Sequence, residues 1–98
     1  MASFSELIRS EKPVLVDFFA EWCGPCKTLA PIIKEVKAKA GSNARVLKID
    51  IDKNPQLARQ LNIQGVPTLM IYKSGEMKWR QSGVLSAQSI LQTLQSYY

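Results

Sequence analysis

The chain has no histidine and only two cysteines, Cys23 and Cys26, among its 98 residues. A disulfide-rich secreted scaffold uses four or more cysteines, which excludes that class. Without histidine or a third cysteine, the chain cannot supply the four ligands of an intramolecular zinc site. Only a zinc site shared across a dimer stays open. Glycine and proline are scarce, at five each, which argues against disorder and collagen-like repeats. The longest apolar runs, residues 14–19 and 66–72, are short and interrupted. They fall far below the ~20 residues of a membrane span, so no membrane partner is expected. Residues 1–6 have neither a basic start nor an apolar stretch. No signal peptide is therefore expected, and the expected location is cytoplasmic.

The charge is modestly one-sided, with 13 basic and 8 acidic residues and a net charge of +5. The basic side chains are scattered and no cluster interleaves with stacking aromatics, so nucleic acid is not an expected partner. The excess suits faster encounters with acidic protein partners. At this length, residues 1–98 are expected to form a single domain. Hydrophobic residues make up 46%, enough to fill its core without a covalent staple.

Periodicity orders the elements. Residues 5–11 read as a short helix with Ser5 as N-cap and Leu7 and Ile8 inward, ended by Pro13. Residues 14–19 are apolar on both faces except at Asp17, as in a central strand covered on both sides. Residues 23–40 repeat apolar side chains at helical spacing, with Pro31 inside. Residues 45–51 read as a second buried strand. Asn54-Pro55 opens a short helix. Residues 68–72 and 77–82 form a hairpin across a turn at 73–76, with Lys78 and Arg80 toward a solvent-facing edge. Residues 86–98 close the chain as an amphipathic helix. The expected fold is α/β, with helices on both faces of a mixed four-stranded sheet.

Cys23-Gly24-Pro25-Cys26, preceded by Trp22, carries the chemistry. Cysteines three positions apart close too small a loop to stabilise a fold, so a bridge that opens and closes in use is expected. Cys23 opens the long helix, where free backbone N–H groups and the helix dipole favour a thiolate. Pro25 fits the first turn because its missing N–H has no intrahelical partner there. Cys26 lies one turn on. Cys23 is expected to be exposed at the helix tip and Cys26 to face the sheet. Cys23 then attacks a substrate disulfide and Cys26 resolves the mixed disulfide.

Asp17 is an acid in an apolar run. It must be paired, protonated or functional. Burial raises such a carboxyl's pKa, which suits it to take the Cys26 proton directly or through water. The alternative is a capped or solvent-reaching acid at a strand end. Lys48, on the neighbouring strand, is a possible partner of Asp17, but one sequence does not fix the register. Pro67, in Val66-Pro67-Thr68, stands where a cis turn is allowed but uncommon.

Residues 17–27, with Pro31 downstream, resemble the active-site segment of thioredoxin. Val66-Pro67-Thr68 resembles its cis-proline loop, and Gly83 matches the glycine past its last strand. The resemblance runs from Phe4 to the C-terminus. It implies a thioredoxin-like fold, a cis Pro67 packed on the sulfurs, and extended substrate lying across Trp22, Gly24, Pro25, Val66 and Gly83. Asp17 matches the family's buried acid and Lys48 the lysine near it. The implied activity is protein-disulfide reduction by a redox-active Cys23–Cys26 disulfide, in a monomer with no bound cofactor or metal. The implied partners are disulfide-containing proteins and an NADPH-dependent thioredoxin reductase. The chain has no Gly-x-Gly-x-x-Gly pattern for binding a dinucleotide itself. Two departures stand out. The family's first strand is expected to be missing, because only residues 1–3 precede Phe4, which leaves an expected four strands. Phe19 replaces a second tryptophan.

Two other readings stay open at this level. An oxidase or isomerase of the same fold commonly carries a histidine between its cysteines, so Gly24-Pro25 favours a reductant. A binding module would not need its thiols at all.

Overall fold

The computed structural model describes residues 3–98. The expectation that residues 1–3 are too few for a further strand falls partly on residues 1 and 2, outside the described residues. Strand β1 (Val14–Phe19) is almost wholly buried. Val14, Val16 and Phe18 point to one core, with Ile8, Met70 and Tyr72. Leu15 points to the other, with Leu29, Ile33, Val36, Leu69, Ile71, Ile90 and Leu94. That period-two division is why one strand can face two helical layers.

The remaining elements are helix α1 (Phe4–Leu7), helix α2 (Gly24–Ala40), strand β2 (Arg45–Asp50), helix α3 (Pro55–Gln60), strands β3 (Thr68–Lys73) and β4 (Glu76–Ser82), and helix α4 (Ala87–Gln95). The strand order is β2-β1-β3-β4. β1 and β2 run parallel, while β3 is antiparallel to both β1 and β4. The expected mixed four-stranded sheet with four helices is observed. α2 and α4 contribute to one core, and α1 and α3 lie against the other.

Three expectations are corrected. α1 is capped by Ser3 rather than Ser5. The Ser3 hydroxyl accepts from the Glu6 N–H while the Glu6 carboxylate reaches back, a reciprocal capping box that moves the helix toward the N-terminus. The helix stops at Leu7, and Ile8 at its C-cap is the buried residue. β2 is half-exposed rather than buried, because it is an edge strand pairing only with β1 among the described residues. α4 is shorter than its apolar pattern, beginning after an Ser86 cap and ending at Gln95. The β3–β4 turn uses Ser74 and Gly75 with positive φ, the backbone twist that suits a tight hairpin.

Candidate active site

β1 delivers the chain to Ala20, and a turn closed by the Cys23 N–H on the Ala20 carbonyl (3.2 Å) brings Cys23 to the N-cap of α2. The Cys23 sulfur accepts the Cys26 backbone N–H at 3.1 Å. It therefore occupies the place of a capping oxygen, among N–H groups that α2 leaves without intrahelical partners. Pro25 falls in the first turn, as expected. Cys23 and Cys26 are bridged, with Cα atoms 5.3 Å apart, inside the usual span of a disulfide.

Cys23 is not exposed. It retains 3% of its accessible surface and Cys26 6%, so exposure does not distinguish the two sulfurs in the bridged form. The covering group is distant in sequence: the Val66 carbonyl lies 3.5 Å from the Cys23 sulfur. The Val66–Pro67 peptide is cis, and Pro67 is buried directly before β3. The Gly83 N–H donates to the Pro67 carbonyl at 2.9 Å. Gly83 has φ +97°, a conformation that favours glycine. The structure thus brings Cys23, Cys26, Val66, Pro67 and Gly83 to one place. Gly24 and Pro25 are exposed beside them. A Cβ at Gly24 would meet nothing within 4 Å, so glycine keeps the approach to the bridge low without being required by its own neighbours.

Trp22 forms the rim and is 69% exposed. Its indole N–H donates to Asp52 at 2.8 Å. Sequence reasoning passed over Asp52. The available signal was the acid-rich turn Asp50-Ile51-Asp52 after β2, in which the Asp50 carboxylate accepts the Asp52 N–H at 2.8 Å and leaves the Asp52 side chain free for the indole. This hydrogen bond is exposed and is worth about 1 kcal/mol. Asp52→Ala should release the ring. Fluorescence anisotropy of Trp22, read in a Trp79→Phe background, should fall. Asp52→Asn keeps a carbonyl acceptor and should retain most of the signal.

Asp17 lies on the sheet face that carries α2 and is 1% exposed. Its Oδ1 has no hydrogen-bond partner. Burial pushes its pKa up from 3.8 to about 6, and the Lys48 charge offsets part of that rise. Asp17 and Lys48 are directly paired across β1 and β2, so the register puts them side by side. They form no ion pair, however. The Lys48 ammonium sits 4.8 Å from the centre of the Phe19 ring, a cation–π contact at an exposed position. A cavity of about 310 Å³ opens beside Cys26 between Phe19, Lys27 and Lys48. A larger depression of about 460 Å³ lies on the other side of Lys48, against Phe4 and Leu57, and neither sulfur lines it.

A mixed sheet with a bridged cysteine pair capping the helix after its first strand, under a cis-proline loop, defines a protein-disulfide oxidoreductase of the thioredoxin fold. The chain belongs to the thioredoxin family, whose sequence model, Thioredoxin, matches residues 1–96. It is 45% identical over 97 residues to the thioredoxin-like protein slr0233 of Synechocystis, covering 98% of this chain and 92% of that protein. It is 44% identical over 92 residues to a thioredoxin of Acidithiobacillus ferridurans, covering 94% and 85%. A crystal structure of chloroplastic thioredoxin z superposes with a TM-score of 0.82 at 37% identity, covering 89% of this chain and 79% of that one.

Proposed function

We propose that the chain is a protein-disulfide reductase in which Cys23 attacks, Cys26 resolves and Asp17 takes the resolving proton. The Cys23 sulfur accepting the Cys26 N–H at 3.1 Å carries this reading. On reduction, that N–H is aimed at developing negative charge on Cys23 and stabilises its thiolate. The thiolate attacks one sulfur of a substrate disulfide, forming a Cys23–substrate disulfide and releasing the other substrate sulfur as a thiolate, which takes a proton from solvent. Cys26 then yields its proton to the Asp17 carboxylate, directly or through water, and attacks the Cys23 sulfur. The internal bridge closes and the second substrate sulfur leaves. Two electrons pass from the dithiol to the substrate, and its disulfide becomes two thiols.

Substrate polypeptide lies extended over Gly24 and Pro25, between the rim at Trp22 and the backbone at Val66 and Gly83. The exposed Trp22 and Val84 at 69% and 41% support this docking path. Lys48 tempers the rise in the Asp17 pKa through its charge, without a direct bond. In this reading the bridge is the sole redox group, the protein acts as a monomer in the cytoplasm, and an NADPH-dependent thioredoxin reductase reopens the bridge.

The test supplies the pre-reduced protein, then NADPH with a purified thioredoxin reductase, to an insulin disulfide assay. Stoichiometric reduction by the dithiol alone, and catalytic NADPH consumption once the reductase is added, are expected. A reduction potential above the cytosolic glutathione poise would instead make the pair an oxidant.

A further inference from the structure

Arg80 lies on β4, an edge strand that is exposed along most of its length, where a basic residue ordinarily does no more than keep the edge soluble. Here its guanidinium is engaged. Nη1 donates to the Leu61 carbonyl at 2.6 Å and Nη2 to the Asn62 carbonyl at 2.8 Å. Leu61 is the C-cap of α3, and Asn62 has φ +53°. Two charged donors therefore hold the carbonyls at the point where the chain leaves α3. A planar fork matches such a pair of acceptors, and lysine has only a point charge to offer.

The segment leaving that point is Ile63-Gln64-Gly65-Val66-Pro67, whose Val66 carbonyl covers the Cys23 sulfur. Its far end is held by the same strand. Ser82 stands two residues beyond Arg80, on the same face of β4. Its hydroxyl is 3.0 Å from that of Thr68, and the Thr68 hydroxyl donates to the Gly65 carbonyl at 2.6 Å. β4 thus grips the loop twice, through Arg80 where it begins and through Ser82 and Thr68 where it ends. The second grip is buried at Thr68, which has no exposed surface. Arg80 is the outer one: the Asn62 and Ile63 N–H groups bond back to the Arg59 and Ala58 carbonyls of α3 at 3.1 and 2.9 Å, and Arg80 adds the side-chain hydrogen bonds that tie this half of the loop to β4.

We propose that Arg80 is a positioning residue for substrate docking: by clamping Leu61 and Asn62 to β4, it sets where the Val66 backbone presents itself to a polypeptide beside Cys23. The inference rests on the reading that Val66 docks substrate. It concerns affinity for polypeptide disulfides and leaves the reactivity of the Cys23 sulfur untouched.

The test compares Arg80→Met and Arg80→Lys with wild type and with Val66→Asp, which disturbs the docking loop itself. KM and kcat for insulin reduction are measured beside the rate of Cys23 alkylation by iodoacetamide in a Cys26→Ser background. Arg80→Met should raise KM about three- to tenfold, the scale expected when a positioning contact is lost, with kcat and alkylation unchanged. Arg80→Lys keeps one of the two contacts and should fall between. A wild-type KM in Arg80→Met, with a raised KM in Val66→Asp, overturns the role of Arg80 and leaves the docking path standing. A wild-type KM in Val66→Asp removes the docking path and this inference with it. A loss of kcat and alkylation together would show a merely structural role and also overturns the proposal. Should Arg80→Met fail to fold, Arg80→Lys decides: a raised KM with normal alkylation supports the clamp, and a wild-type KM overturns it.

Discussion

Cys23→Ser should abolish disulfide reduction, by at least about a thousandfold, because the remaining thiol, Cys26, lies inside α2 and lacks the N-cap position that favours the Cys23 thiolate. Cys26→Ser should fail differently. The first exchange still runs, the resolving sulfur is absent, and a disulfide between Cys23 and the substrate accumulates. The contrast follows from the unequal surroundings of the two sulfurs. Cys23 stands at the N-cap and accepts a backbone N–H at 3.1 Å; Cys26 lies a turn inside α2. Non-reducing electrophoresis of Cys26→Ser mixed with a disulfide protein should show a band that disappears with dithiothreitol, and peptide mapping should place the link at Cys23. A stable link through Cys26 in Cys23→Ser would reverse the assignment. Unimpaired activity in the double Ser variant would remove the reductase function and favour a thiol-independent binding role.

The expected place of Cys23 at the start of α2 is observed, and its expected exposure is not. The position of Cys23 at the start of α2 was legible, because a strand followed by a short loop and Gly24-Pro25 leaves few other places for it. Its burial was not, because the covering group is the Val66 carbonyl, 43 positions away. Contacts across that separation depend on how α3 and β3 pack. The same limit explains Asp52 and Arg80. Each looks locally like a surface charge, and each acts through a partner on another element, the Trp22 indole or the carbonyls after α3.

Lys48 shows the limit on a smaller scale. Its strand and its inward or outward sense could be read from alternation. The register that places it opposite Asp17 could not, since sliding β2 by two residues would keep every side chain on its face. Even the correct register does not deliver an ion pair, because the ammonium turns to the ring of Phe19. Phe19 supplies the aromatic face there. At Ser3 and Ser5 the failure was more local. Both serines precede Glu6, but only Ser3 has it at the capping-box spacing of three residues, whereas Ile8 stands three residues after Ser5.

Asp17→Asn should stabilise the bridged protein at pH 7 to 8 and slow its turnover, two effects of opposite sign from one buried carboxyl. In the fold, desolvation raises its pKa from 3.8 to about 6, so the folded state binds a proton that the unfolded chain has already released between those values. Stability therefore falls as pH rises through that window. Below 3.8 the carboxyl is neutral in both states and exacts no penalty. Above about 6 it is ionised in both and the full penalty applies, about 3 kcal/mol at about 1.4 kcal/mol per pH unit. Urea unfolding at pH 4 should barely separate Asp17→Asn from wild type, and at pH 8 the variant should be more stable by roughly that amount. A difference that does not change with pH would mean that the carboxyl titrates normally in the fold. Kinetically, the amide cannot accept the Cys26 proton, so decay of a preformed Cys23 mixed disulfide near neutral pH should slow by about tenfold or more. Wild-type decay should accelerate through about pH 6 as Asp17 ionises, and the variant should lack that step. If stability responds as expected and decay does not, Asp17 is a buried charge without a proton to carry. If both respond, the destabilising ionisation is the same event that readies the site to release its product.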